Sequence, residues 1–170
     1  MELSDVLVDA FDRVRYTVHR AVAGLSPEVL AYRPDTRANS IAWLVWHLTR
    51  IQDDHVAGVA GTDQIWTAHG WHEKFALPLP PTDTGYGHSS DEVAAVQASG
   101  ALLLVYFDAV HEHTLGFLAE LQPEDLDRIV DRSFDPPVSL GVRLVSVVDD
   151  CMQHGGQAAY VRGLAERRRG

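Results

Sequence analysis

Residues 145–164, VSVVDDCMQHGGQAAYVRGL, read as one long helix, and the rest of the 170-residue chain is organised around it. Val145, Val148, Met152, Ala159 and Leu164 are expected on its core-facing side. Asp149, Asp150 and His154 interrupt the apolar run. Asp150 and His154 are four apart and therefore lie one turn above each other on the same face. A carboxylate and an imidazole so placed can share one metal ion. A third ligand must then come from another element, and His47, in the apolar run NSIAWLVWHLT that begins at Asn39, is the candidate. Spacing alone also allows a plainer arrangement and favours it: Asp150 and His154 as a hydrogen-bonded pair, with His47 a core histidine bonded to a carbonyl.

The length suits a single domain over residues 1–170 with a core of its own. Hydrophobic residues make up 46% and charged residues 22%, an ordinary globular composition. With 24 acidic and 14 basic residues the formal charge is −10, which argues against binding nucleic acid. The short basic cluster Arg167, Arg168 and Arg169 follows a helix, where cations complement the dipole. A lone cysteine, Cys151, excludes an intramolecular disulfide and fits a reducing compartment. The start, MELSDVLVDAFDRV, is acidic and amphipathic rather than a signal peptide, and no apolar run reaches the length of a membrane span. A cytoplasmic protein with no membrane partner is expected.

Four long helices account for most of the chain. Residues 3–25 carry Leu7, Phe11, Val14, Val18 and Val22 at helical spacing, and Ser26-Pro27 starts a short turn to about Ala31. The second long helix is capped by Asn39 or Ser40 and stops at Gly61, with Ile41, Leu44, Val45, Leu48 and Ile51 as its stripe. Residues 61–89 are irregular, and that length is enough to cross back along a bundle, so the second and third helices can run parallel. Ser89 and Glu92 form a capping box that opens a third helix to about Leu121. His111 and His113 are expected at its solvent-facing end, and the HEHT around them lacks the His-Glu-x-x-His spacing of zinc proteases. A turn from Pro123 ends near Asp131, and Ser139 caps the fourth helix. With no convincing strand, this is an all-α four-helix bundle.

Two imidazoles and one carboxylate form an open three-ligand set. Zinc takes such a set first, and nickel, iron and manganese are the alternatives. Rivals for the site are few. Cys151 is a ligand or nucleophile, or else a small buried apolar residue. Gly155 and Gly156 allow a backbone or ligand to approach closely. Asp149 has a poorer offset to His154 than Asp150, and Asp53, Asp54 and His55 read as the solvated end of the second helix.

The pieces NSIAWLVWHL around His47 and DDCMQHGGQAAYVRGL around His154, with GWHEKFALP and DTGYGHSS between them, resemble the DinB/YfiT-like superfamily across nearly the whole chain. The sequence is also similar to the mycothiol-dependent maleylpyruvate isomerase-like and thiol-transferase branches. The resemblance implies an up-down-down-up bundle and a divalent metal held by one histidine of the second helix and a His-x-x-x-His pair on the fourth. His47 and His154 match two of these positions, and Asp150 replaces the remaining histidine. It further implies transferase or isomerase chemistry with a low-molecular-weight thiol such as bacillithiol or mycothiol, a small-molecule substrate and a homodimer. The function expected is therefore a metal-dependent thiol S-transferase. The alternative is a non-catalytic metal- or ligand-binding bundle that acts through assembly. The residues themselves give a physical motive for metal at His47, Asp150 and His154: buried and unpaired, such groups cost several kcal/mol each, and one ion satisfies all three. Each imidazole is then expected to donate its second ring nitrogen to a carbonyl or carboxylate.

Overall fold

The computed structural model describes residues 3–169. Four long helices dominate it: α1 (Leu3–Val22), α3 (Ile41–Ala60), α7 (Gly100–Glu120) and α8 (Leu140–Arg169). Short helices α2 (Pro27–Leu30), α4 (Ile65–Ala68), α5 (Trp71–Phe75) and α6 (Ser90–Ala95) occupy the connections. The ends obey local chemistry. The Ser40 hydroxyl accepts the Trp43 N–H to start α3, and Gly61, at φ 72°, ends it in the left-handed conformation that glycine adopts without strain. The Ser89–Glu92 capping box opens α6 as expected.

Contacts between helices define their directions. Val22 lies against Gly100, His19 bonds Asp108 and Asp12 bonds His111, so α1 and α7 are antiparallel. Thr17 meets Gly155 and Arg162 reaches the Arg20 carbonyl, so α1 and α8 are parallel. Cys151 approaches Leu48, and Arg143 approaches His55, so α3 and α8 are antiparallel. The path is up-down-down-up, and α3 and α7 run the same way. Phe11, Val18, Leu44, Leu48, Leu103, Phe107, Leu144 and Val147 fill the centre. Each such side chain contributes about 1.5–3 kcal/mol by leaving water.

The chain between α3 and α7 must therefore return along the bundle, and a buried polar cluster ties it down. Asp53 accepts the Ile65 and Trp66 N–H groups and the Tyr106 hydroxyl, each at 2.8 Å. Arg50, also fully buried, lies 3.6 Å from Asp53 and donates to Gln64 Oε1 and the Asp83 carbonyl. Asp53 is thus an internal anchor and not part of a solvated helix end. The sequence shows a charge there but not the amides that meet it.

Four further expectations are corrected. The core face of α8 is Leu144, Val147, Cys151, Ala158, Val161 and Ala165, while Val145 and Met152 are exposed, as is Ala159. The apolar pattern of this helix is nearly continuous, so a one-residue rotation leaves both assignments open by sequence, and only packing chooses between them. Residues 89–121 are not one helix, because Val96 is extended and Ser99, whose hydroxyl accepts the Leu102 N–H, caps a fresh start at Gly100. His111 is buried, stacked on Phe107 and bonded to Asp12 at 3.0 Å, and His113 is half-buried, so neither is a solvent-facing end. Finally, a small antiparallel ribbon, β1 (Ile129–Asp131) with β2 (Val138–Ser139), leads into α8.

Candidate metal centre

His47 projects from α3 and stacks on Trp43 one turn earlier, with ring centroids 4.6 Å apart and planes within 15°. Its Nδ1 lies 2.6 Å from the Thr84 carbonyl, which requires a proton on Nδ1 and leaves Nε2 as a free lone pair. That carbonyl is held in place by the loop that follows. Gly85 adopts φ +94°, and a Cβ there would stand 2.8 Å from His47 Nδ1 and 3.1 Å from the Trp46 ring. Only glycine lets the loop close on the imidazole. Asp83 fixes the loop from both sides: its Oδ1 accepts the Gly85 N–H at 3.1 Å and its Oδ2 accepts from His88 Nε2 at 2.8 Å. His88 Nδ1 in turn accepts the Trp43 indole N–H at 3.0 Å. Burial alone would raise the Asp83 pKa, but bonds from His88 and the Gly85 amide hold it below its ordinary value.

On α8, His154 Nδ1 donates to the Asp150 carbonyl at 2.9 Å, so its Nε2 is free as well. Asp150 Oδ2 lies 3.4 Å from the same Nδ1, whose single proton is already committed to the carbonyl. Oδ2 is buried and has no hydrogen-bond partner. An orphaned carboxylate oxygen of this kind costs about 1–3 kcal/mol or more and is suited to a cation.

One ligand atom from each of His47, Asp150 and His154 lies within 4.8 Å of the other two. The His47 and His154 rings meet edge to face at 4.7 Å. Ligands on one zinc-sized ion, each about 2.1 Å from it, sit about 3–4 Å apart, so small side-chain rotations close the set. The residues fit a divalent ion. The His47 side chain is buried, whereas those of His154 and Asp150 are 20% and 31% exposed, so the centre opens to solvent on the α8 side. Burial lowers the His47 pKa against the opposing Thr84 carbonyl, which keeps the ring neutral and able to coordinate. The His154 pKa is raised, chiefly by the Asp150 carboxyl within reach of its N–H, with burial opposing.

The rival residues fall elsewhere. Asp149 is exposed and takes a bond from Gln153. Cys151 is fully buried, its thiol 3.6 Å from the Leu48 carbonyl, and burial pushes its pKa well above the ordinary value, so it supplies neither thiolate nor ligand. Gly155 permits close packing on Thr17, whereas Gly156 faces open space. Sequence reasoning missed Asp83, Thr84 and His88. The Asp83–Gly85 pair carries a turn signal, but nothing local says which imidazole the turn will cover.

An all-α bundle whose facing second and fourth long helices bring two imidazoles and a carboxylate together defines a class of helical proteins with an inter-helix metal-type centre. The chain belongs to the DinB superfamily, whose family profile matches residues 10–158. Its fold is also that of a conserved protein from Enterococcus faecalis known from a crystal structure. The two are 32% identical and superpose with a TM-score of 0.91 over 97% of this chain and 98% of the other. No curated protein matches the chain. None of its helices, among the described residues, is long and apolar enough to cross a membrane.

Proposed function

We propose that this chain is a divalent-metal-dependent enzyme, a thiol S-transferase that uses a low-molecular-weight thiol, with His47, Asp150 and His154 as the metal ligands. The observation that carries the metal reading is the buried, unpartnered Asp150 Oδ2 beside two imidazoles whose Nδ1 protons are already committed. Membership of the DinB superfamily and the resemblance to its thiol-dependent branches support the thiol reading. Zinc suits two nitrogens and one oxygen with an open position, and nickel, iron or manganese are the alternatives. Bound there, such an ion would supply Lewis acidity that favours the thiolate of a co-substrate at neutral pH.

The chain's own residues prepare that chemistry. The Thr84 carbonyl holds His47 in one tautomer, and Asp83 and His88 hold the loop and Trp43 around it. Trp43 covers one face of His47 and keeps water from it. Asp150 supplies the negative charge that offsets part of the ion's charge. The proposal includes a cytoplasmic homodimer acting on a small molecule. The apolar side chains exposed along α8, Val142, Val145, Met152 and Tyr160, support self-association.

The test starts with elemental analysis of protein purified without added metal, followed by metal titration of the wild type and of His47→Ala, Asp150→Ala and His154→Ala. Stoichiometric uptake by the wild type and loss in the variants is expected. Unchanged affinity in all three variants overturns the ligand set. Thiol consumption is then followed with chlorodinitrobenzene as a model electrophile. Metal binding without any thiol consumption would leave a non-catalytic binding bundle.

A further inference from the structure

The three candidate ligands share one face of the α3–α8 pair with a cavity further along it. On α3, Asp54 and Gly58 follow His47 by seven and eleven residues, which places all three within about 20° of one line along the helix. On α8, Arg143 precedes Asp150 by seven residues and shares its face in the same way. Because α3 and α8 are antiparallel, these positions run side by side. They end in a cavity of about 350 Å³ lined by Asp54, His55, Gly58, Thr62, Val130 of the ribbon and Arg143. Seven helical residues advance about 10 Å, so this cavity begins about 10 Å from the ligands along the same face.

The cavity's chemistry selects among ligands. The positive charge of Arg143 is already met by Asp131 at 2.8 Å. A second Arg143 N–H lies 3.4 Å from His55 Nδ1, so that nitrogen accepts and Nε2 carries the proton. The Asp54 side chain is 40% exposed, and Oδ1 takes a single N–H from Gln64 at 2.7 Å, which leaves acceptor capacity on the carboxylate. Asp54 is the one carboxylate among the lining residues, and Arg143, the one cation among them, is taken up by Asp131. At Asp54 a carboxylate or phosphate is repelled, and an ammonium or hydroxyl group finds an acceptor.

Resting on the thiol reading above, we propose that this cavity is a distal recognition subsite. It holds the amino- or hydroxyl-bearing end of a thiol co-substrate whose sulfur lies at the His47–Asp150–His154 end. Asp54 is the specificity-determining residue and His55 a supporting donor. The subsite makes the enzyme favour extended, neutral or cationic thiols over short ones and over acidic ones.

The experiment uses aminooctanethiol, mercaptooctanol and mercaptooctanoate, which share one reach and differ only at the far end. Cysteamine and mercaptopropionate are short counterparts that cannot reach Asp54. Calorimetric titration of the zinc-loaded protein is expected to rank the long thiols amine, then alcohol, then carboxylate, with at least a tenfold span. The short pair controls for the general attraction of an acidic protein for cations and is expected to show a much smaller span. In Asp54→Asn, which keeps the shape and removes the charge, the long series should collapse toward the short one at unchanged zinc stoichiometry. Equal or better binding of the carboxylate, an equal span in the short pair, or a span unchanged by Asp54→Asn overturns the subsite. A failure of the metal reading is distinguishable, because it appears as absent zinc uptake. In that event octylamine and octanoate, which lack sulfur, repeat the comparison by NMR on the metal-free protein. Shifts at Asp54 and His55 with octylamine alone sustain the subsite, and equal or absent shifts with both overturn it.

Discussion

At the scale of single residues, the candidate centre depends on which ring nitrogen carries a proton. His47 and His154 both spend Nδ1 on a carbonyl, so both present Nε2. Replacing His154 with Ala should abolish metal binding more completely than Asp150→Asn, because an amide oxygen still coordinates weakly; isothermal titration with zinc measures both. Protons compete with metal for the imidazoles. The His154 pKa is raised and the His47 pKa lowered, so as pH falls His154 takes its proton first, at a pH above the ordinary imidazole value. Metal affinity should therefore begin to fall at that higher pH. Asp150→Asn removes the group that raises His154 and should move the onset of the fall to lower pH, as read by chelator competition across a pH series. Asp83 touches neither candidate imidazole, yet it holds the loop whose carbonyl orients His47. Asp83→Ala should lower metal affinity about 10–100-fold, the usual effect of losing an outer partner, while the far-ultraviolet circular dichroism stays helical.

At the scale of elements, two attachments position the crossover segment between α3 and α7. One is the Asp83–Gly85 turn over His47, and the other is Asp53 with the Ile65 and Trp66 amides. Removing Asp53 leaves Arg50 buried without its carboxylate and two amides unpaired. Asp53→Ala should cost about 3–5 kcal/mol, the range for breaking a buried ion pair, seen as a lower urea midpoint. Gly85→Ala acts differently. It destabilises locally, because its Cβ would collide with His47 at a backbone φ of +94°. It should weaken metal binding by more than it lowers the urea midpoint.

At the scale of the whole molecule, the path of the chain decides what can meet. Only with α3 antiparallel to α8 does His47 come opposite His154 while Asp54 comes opposite Arg143. The outer face of α8 keeps Val142, Val145, Met152 and Tyr160 in water. A homodimer through this face is expected, and sedimentation velocity at micromolar concentration checks it. Met152→Asp combined with Val145→Asp should give a monomer with an unchanged helical spectrum. A wild type that sediments only as monomer would sink the dimer.

The sequence by itself determined that four long helices are present, a cap at Asn39 or Ser40, the capping box at Ser89 and the stop at Gly61. Each is a local property: apolar spacing, a hydroxyl before a helix, or a glycine after one. It also placed Asp150 and His154 on one face, because four residues make roughly one helical turn. It did not determine which side of α8 faces the core. Leu144 and Val145 are neighbours and both are apolar, so either rotation of the helix satisfies the local pattern. Nor did it show that Asp53 is buried, that Val96 breaks the third helix, or that the Thr84 carbonyl meets His47. These outcomes depend on partners distant in the chain, 12 residues away for Ile65 and 37 for Thr84. Burial, tautomer and the meeting of His47 with the α8 pair are set when the helices pack, and no local spacing encodes them.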